Sequence, residues 1–178
     1  MSDNILDRLA VKSRAGQEEF NSPKFPSVKL DGSGAGDTAG QILRFDGGEM
    51  TNLGDTLKMQ IIRVRKKLLL GGETSKFFSE EYVSSARDTV PLKRCDYVDG
   101  AWSKPTVVAT GTPQDIRQTN DVKVVSVVYA IVGDELVKLT VKGASTTGDD
   151  GLYAYLESFK PEHVFQFNTL VSVSKVQK

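Results

Sequence analysis

Residues 122–141 constrain the fold more than any other stretch. Val122 to Val132 is rich in valine, and β-branched side chains suit the pleated, packed surface of a strand. Gly133-Asp134 then supplies a tight turn, and Leu136 to Val141 returns as the partner strand of an antiparallel hairpin. Much of the body repeats this logic. Gln41-Ile42-Leu43-Arg44-Phe45 is a strand followed by the hairpin turn Asp46-Gly47-Gly48. Leu57 to Leu69 is a long strand. Lys76 to Val83 is a third after a Gly71-Gly72 turn, and Thr106-Val107-Val108-Ala109 is a short one. Residues 84–121 otherwise read as irregular, punctuated by Pro91, Pro105 and Pro113. Val164 to Val173 closes the series, with Phe165, Phe167, Thr169, Val171 and Val173 on one face.

Helical periodicity is confined to the ends. Ile5, Leu6, Leu9 and Ala10 share a face of a short amphipathic segment over residues 4–20. Near the C-terminus, Leu152, Tyr155, Leu156 and Phe159 recur at helical spacing, with Asp149 or Asp150 as cap and Pro161 as stop. Between Asp31 and Gly40 lie four glycines, too many for a regular element, so residues 21–40 read as a loop. The expected architecture is therefore mainly β. It is a small antiparallel barrel of about five to seven strands with one helix near the C-terminus, as the strand count and single helix suggest. An N-terminal arm over 1–40 precedes a binding domain over 41–178.

Several function classes are disfavoured. A single cysteine, Cys95, rules out an internal disulfide and with it a secreted, disulfide-stapled domain. The N-terminus lacks the basic start and apolar run of a signal peptide, and no apolar run is long enough to span a bilayer, so the expected location is cytoplasmic. The glycine run fails as a phosphate loop because Gly36 is followed by Asp37-Thr38, not by Lys-Ser or Lys-Thr. The lone histidine, His163, has no partner at metal spacing and no nucleophile elbow to serve. No catalytic residue, metal site or cofactor is expected.

The formal net charge is zero, against a strongly basic duplex binder, yet the charge is unevenly spread. Residues 56–94 carry 9 basic and 4 acidic side chains, between acidic flanks. Within Ile62-Arg63-Val64-Arg65-Lys66-Lys67-Leu68, strand alternation puts Arg63, Arg65 and Lys67 on one face and Ile62, Val64 and Leu68 toward a core. Phe77, Phe78 and Tyr82 follow on the next strand, with at least one of the two phenylalanines inward. Arg87, Lys93, Arg94 and Trp102 come next. Cations that neutralise phosphates, mixed with aromatic planes that stack unpaired bases, are what a single-strand binder needs. Arg63, Arg65, Lys67, Arg87, Lys93 and Arg94 are the expected phosphate contacts, and Phe78, Tyr82 and Trp102 the stacking residues.

Four stretches together resemble phage-type single-stranded DNA-binding proteins. They are Asn21-Ser22-Pro23-Lys24-Phe25-Pro26, Lys76-Phe77-Phe78-Ser79-Glu80-Glu81, Val137 to Ser145, and Leu152 to Phe159. The resemblance implies an OB-fold, coating of single-stranded DNA in replication or recombination, and a bacterial or phage-infected host cell. Two departures stand out: the helix precedes the last strand, and the chain ends Lys175-Val176-Gln177-Lys178 without an acidic tail. RNA is a possible ligand in place of DNA, and a homo-oligomer is compatible with the arm. The competing expectation is a phage structural protein, a β-barrel with an exchanging arm and no nucleic-acid role.

Overall fold

The structure, a computed structural model, describes residues 25–31, 36–147, 151–158 and 168–173. The chain runs β1 (Ser27–Asp31), β2 (Gln41–Asp46), β3 (Glu49–Asn52), β4 (Thr56–Gly71) and β5 (Ser75–Ser79). It continues through β6 (Val90–Val98), β7 (Ala101–Trp102), β8 (Thr106–Gly111) and the helix α1 (Pro113–Thr119). Last come β9 (Lys123–Val132), β10 (Glu135–Val141), the single turn α2 (Ala144–Thr147), α3 (Leu152–Glu157) and β11 (Asn168–Ser172). The protein is mainly β, as its sequence indicates. The expected barrel of five to seven strands is not what forms. Among the described residues eleven strands make one mixed sheet in the order β3-β2-β1-β10-β9-β4-β5-β6-β7, with β11 on β4 and β8 on β6. The order does not return from β7 to β3, so no barrel closes.

Packing divides the chain into two compact units, each discontinuous in sequence. The first takes Met1–Ile62, Tyr129–Leu139 and Glu162–Lys178. Its start, Ser27–Asp31, lies in the stretch read as loop but pairs in register with β2, from Ser27 opposite Phe45 to Asp31 opposite Gln41. The β2–β3 turn falls at Gly47 and Gly48, both with positive φ (59° and 96°), the backbone that a two-residue hairpin turn demands. Val28, Ile42, Leu43, Met59, Ile61, Val137 and Leu139 are buried in this unit, and β11 adds Thr169. On β11, Asn168, Leu170 and Ser172 are exposed, the alternation expected from sequence. The Arg44 guanidinium reaches Glu135 Oε2 at 2.6 Å and Asp46 Oδ2 at 3.1 Å.

The second unit takes Arg63–Val128 and Thr140–Pro161. Its core gathers Leu68, Tyr82, Val90, Leu92, Ile116 and Val122, with Leu70, Phe77, Ala109 and Val124 packed against them. Three of its elements, β6, β7 and α1, fall where the sequence read as irregular. β6 contains Pro91, which lies one residue before the β5 ladder begins at Leu92, where a missing N–H costs least. α1 carries its own start signal: Thr112 caps it, its Oγ1 accepting from Asp115 N–H (3.2 Å) and donating to Asp115 Oδ2 (2.7 Å), with Pro113 in the first turn. The expected C-terminal helix is present but short, as α3. Gly151 caps it without a side-chain hydrogen bond, in place of Asp149 or Asp150, which lie outside the described residues. The expected helix over 4–20 and His163 also lie outside them. No helix among the described residues is long and apolar enough to cross a membrane.

β4 departs from its expected pattern. In the first unit Leu57, Met59 and Ile61 are buried, whereas Ile62, expected inside, is 38% exposed. In the second unit the buried position is Leu68, at 0% exposure. Buried positions are thus odd-numbered in one unit and even-numbered in the other. Leu68→Ala removes a fully enclosed side chain and is expected to cost about 2–5 kcal/mol in urea unfolding. Ile62→Thr keeps a β-branched residue at a solvated position and is expected to change stability by less than about 0.5 kcal/mol. Equal losses would contradict the change of parity.

Candidate nucleic-acid interface

The register of the second unit decides which side chains share a surface. Leu69 lies opposite Phe78, Phe78 opposite Lys93, and Lys93 opposite Val107. Directly opposed residues in antiparallel strands point to the same face, so these four form one row. Gly71, Lys76 and Cys95 form the next row. Tyr97, two residues beyond Cys95, pairs with Trp102 on that face. Alternation along β4 carries Lys67, Arg65 and Arg63 onto the face of Leu69. The neighbouring row (Leu70, Phe77, Arg94, Thr106) points the opposite way, toward the core of this unit.

Six of the expected site residues therefore share one face, spread along it from Arg63 at one end to Trp102 at the other: Arg63, Arg65, Lys67, Phe78, Lys93 and Trp102. Arg63 is exposed, and Arg65, Lys67, Phe78 and Lys93 are half-buried. Trp102 is 41% exposed. The Lys76 ammonium lies 4.1 Å above its ring, and Tyr97 meets it edge-on at 5.3 Å between centroids. Lys76 and Tyr97 share this face and touch Trp102, yet the sequence reading passed over them as site candidates. Lys76 was within reach, since it alternates with Phe78 on one strand; Tyr97 required β6 to be recognised. A β-bulge between Ala109 and Val107, opposite Leu92 and Lys93, leaves both Val107 and Val108 exposed beside this surface.

The other three expected residues lie elsewhere. Tyr82 is 2% exposed and belongs to the core cluster, so it offers no ring face to a base. The reason is local. From the Leu69–Phe78 pair to the Lys66–Tyr82 bridge, β4 advances three residues while its partner advances four. That extra residue reverses the alternation and turns Tyr82 inward. Burial pushes its phenol above the usual tyrosine range, offset only in part by the Ser85 hydroxyl and the Arg117 charge. Arg94 sits on the reverse face, 5.5 Å from the Phe77 ring centre and paired with Asp96 at 2.8 Å. Arg87 is exposed on the loop after Tyr82.

Asp88 holds that loop. Its Oδ2 accepts from Val83 N–H (2.7 Å) and Ser84 N–H (2.9 Å). The Ser84 and Val83 amides keep its carboxyl below the usual aspartate range. Among the described residues no three His, Cys, Asp or Glu side chains gather as a metal site, and Cys95 is buried. No family model matches the chain, nor does any curated protein or solved structure.

The Asp88 geometry makes a pH prediction. The folded pKa is depressed, so the contribution to stability is present above the ordinary aspartate value and is lost as pH falls through the lowered one. The amide proton shifts of Val83 and Ser84 should titrate together, with a midpoint below the unfolded-chain value. A midpoint at the ordinary value would contradict the two hydrogen bonds.

Proposed function

We propose that this protein binds single-stranded DNA on the β4–β5–β6–β7 face of its second unit, and that it does so without catalysis or a cofactor. The observation that supports this reading most is that strand register puts Arg63, Arg65, Lys67, Lys76, Phe78 and Trp102 on one face of the sheet, with Lys76 against the Trp102 ring. Cations on β4 track phosphates. Aromatic rings on β5 and β7 receive bases, whose stacking is tolerant of sequence because every base has a flat face. A duplex hides its base faces, so it competes poorly for such a surface. Zero net charge is compatible with this, because binding draws on a local basic strip.

The test is fluorescence anisotropy of a labelled oligo-dT of ~30 nucleotides, several site sizes long, across a salt series with duplex as competitor. Arg63 and Arg65 alone should give a log–log salt slope of about −1.4. Arg63→Ala and Arg65→Ala should each flatten the slope by about 0.7. Trp102→Ala should weaken binding by about five- to a hundredfold with the slope unchanged, as expected for a lost stack. No binding at low salt would remove the proposal.

A second reading, a structural protein that assembles through copies of itself, draws on the exposed Val98, Val107 and Val108 near the β8 edge. The bulge in β8 works against it, because bulges blunt edge-to-edge pairing. Light scattering at two concentrations separates the two: assembly predicts a concentration-dependent oligomer that is indifferent to oligo-dT.

A further inference from the structure

Lys93 enters the interface already paired. Its Nζ lies 2.9 Å from Glu80 Oε1. The fold brings the two together in a defined way. β5 ends at Ser79, and Glu80, the next residue, reaches Lys93, the cross-strand partner of Phe78. A carboxylate thus sits beside an aromatic ring of the interface, on the ammonium that a phosphate would otherwise meet. The Glu80 side chain is 62% exposed, so nothing in the packing holds it there apart from the ion pair. The Arg94–Asp96 pair lies on the reverse face and does not bear on this surface.

We propose that Glu80 is an internal competitor for nucleic-acid phosphate at Lys93 and sets the affinity of the interface below its maximum. The inference rests on the single-strand-binding reading above. Carboxylate and phosphodiester are both oxygen anions that accept from an ammonium, and Lys93 serves one at a time at close range. An ion pair this open to solvent is weak and screened by salt, so a polyanion displaces it without disturbing the fold. Displacement has a thermodynamic signature. Lys93 releases a counterion from the phosphate it neutralises, while the freed Glu80, now near phosphates, takes up a cation from solution. The two nearly cancel, so Lys93 adds little to the salt dependence while Glu80 is present. The same carboxylate is on hand to recapture Lys93 and speeds dissociation.

The experiment is the oligo-dT titration across a salt series with the wild type, Glu80→Gln, Lys93→Gln and the double variant. Glutamine keeps the shape and polarity of Glu80 and removes its charge. Glu80→Gln is expected to bind about two- to fivefold more tightly at low salt, with a slope steeper by about 0.7. In the Lys93→Gln background the same substitution should leave the slope unchanged, because the competed cation is gone. If the wild type binds with salt dependence and Glu80→Gln matches it in affinity and slope, the competition is overturned and the single-strand reading stands. A steepening that persists in the Lys93→Gln background also overturns it, since Glu80 then acts only as a general repulsive charge. Absence of binding by both the wild type and Glu80→Gln at low salt overturns both proposals.

Discussion

A slip of one residue between β5 and β6 would exchange the two faces of the second unit. Leu92, fully buried opposite Ser79, would turn into water, and Lys93 would turn into the core. Burying a leucine side chain contributes about 1.5–3 kcal/mol, and Leu68 and Leu92 are both completely enclosed. That energy fixes the register, and the register fixes everything on the reverse. The alignment of Phe78 with Lys93, of Lys76 with Cys95 and of Tyr97 with Trp102 is inherited from the packing of leucines behind them. The arrangement of this face is thus set by folding itself.

The same face carries side chains that folding alone does not explain. Tyr97, Trp102, Val107 and Val108 stay substantially in water, although they flank a core that could have used such residues. Tyr97 and Trp102 pair with each other, whereas Val107 lies opposite Lys93, four residues back along β6, and isolated apolar residues of this kind are ordinary on a surface. Lys76 partly covers Trp102, a contact that contributes about 0.5–1 kcal/mol at an exposed site. Of the acidic residues, Glu80 acts on this face through Lys93.

The limits of the sequence reading have physical causes. The valine hairpin, β2 and the length of β4 were legible because local alternation and glycine turns encode them. Barrel closure was not, since it depends on which distant strands pair, and β1 beside β10 or β9 beside β4 leaves no local signature. Pro91 masked β6 because a proline in a strand is harmless only where one edge lacks a partner, which the sequence cannot show. α1 was readable in principle from Thr112-Pro113-Gln114-Asp115. The shared face of Arg63, Arg65, Lys67 and Phe78 was legible because β4 and β5 alternate regularly where they lie. Tyr82 was misplaced by one extra residue in the strand, and Arg94 by its adjacency to Lys93, which in a strand means the opposite face.

Trp102 is the chain's one tryptophan and stands on the proposed interface, so its emission reports on that surface alone. The most direct measurement is its fluorescence during titration with unlabelled oligo-dT at low salt. The account predicts saturable quenching that follows complex formation and reverses when salt is raised. Complex formation seen by an independent probe with Trp102 emission unchanged would contradict it and move the binding surface elsewhere on the protein.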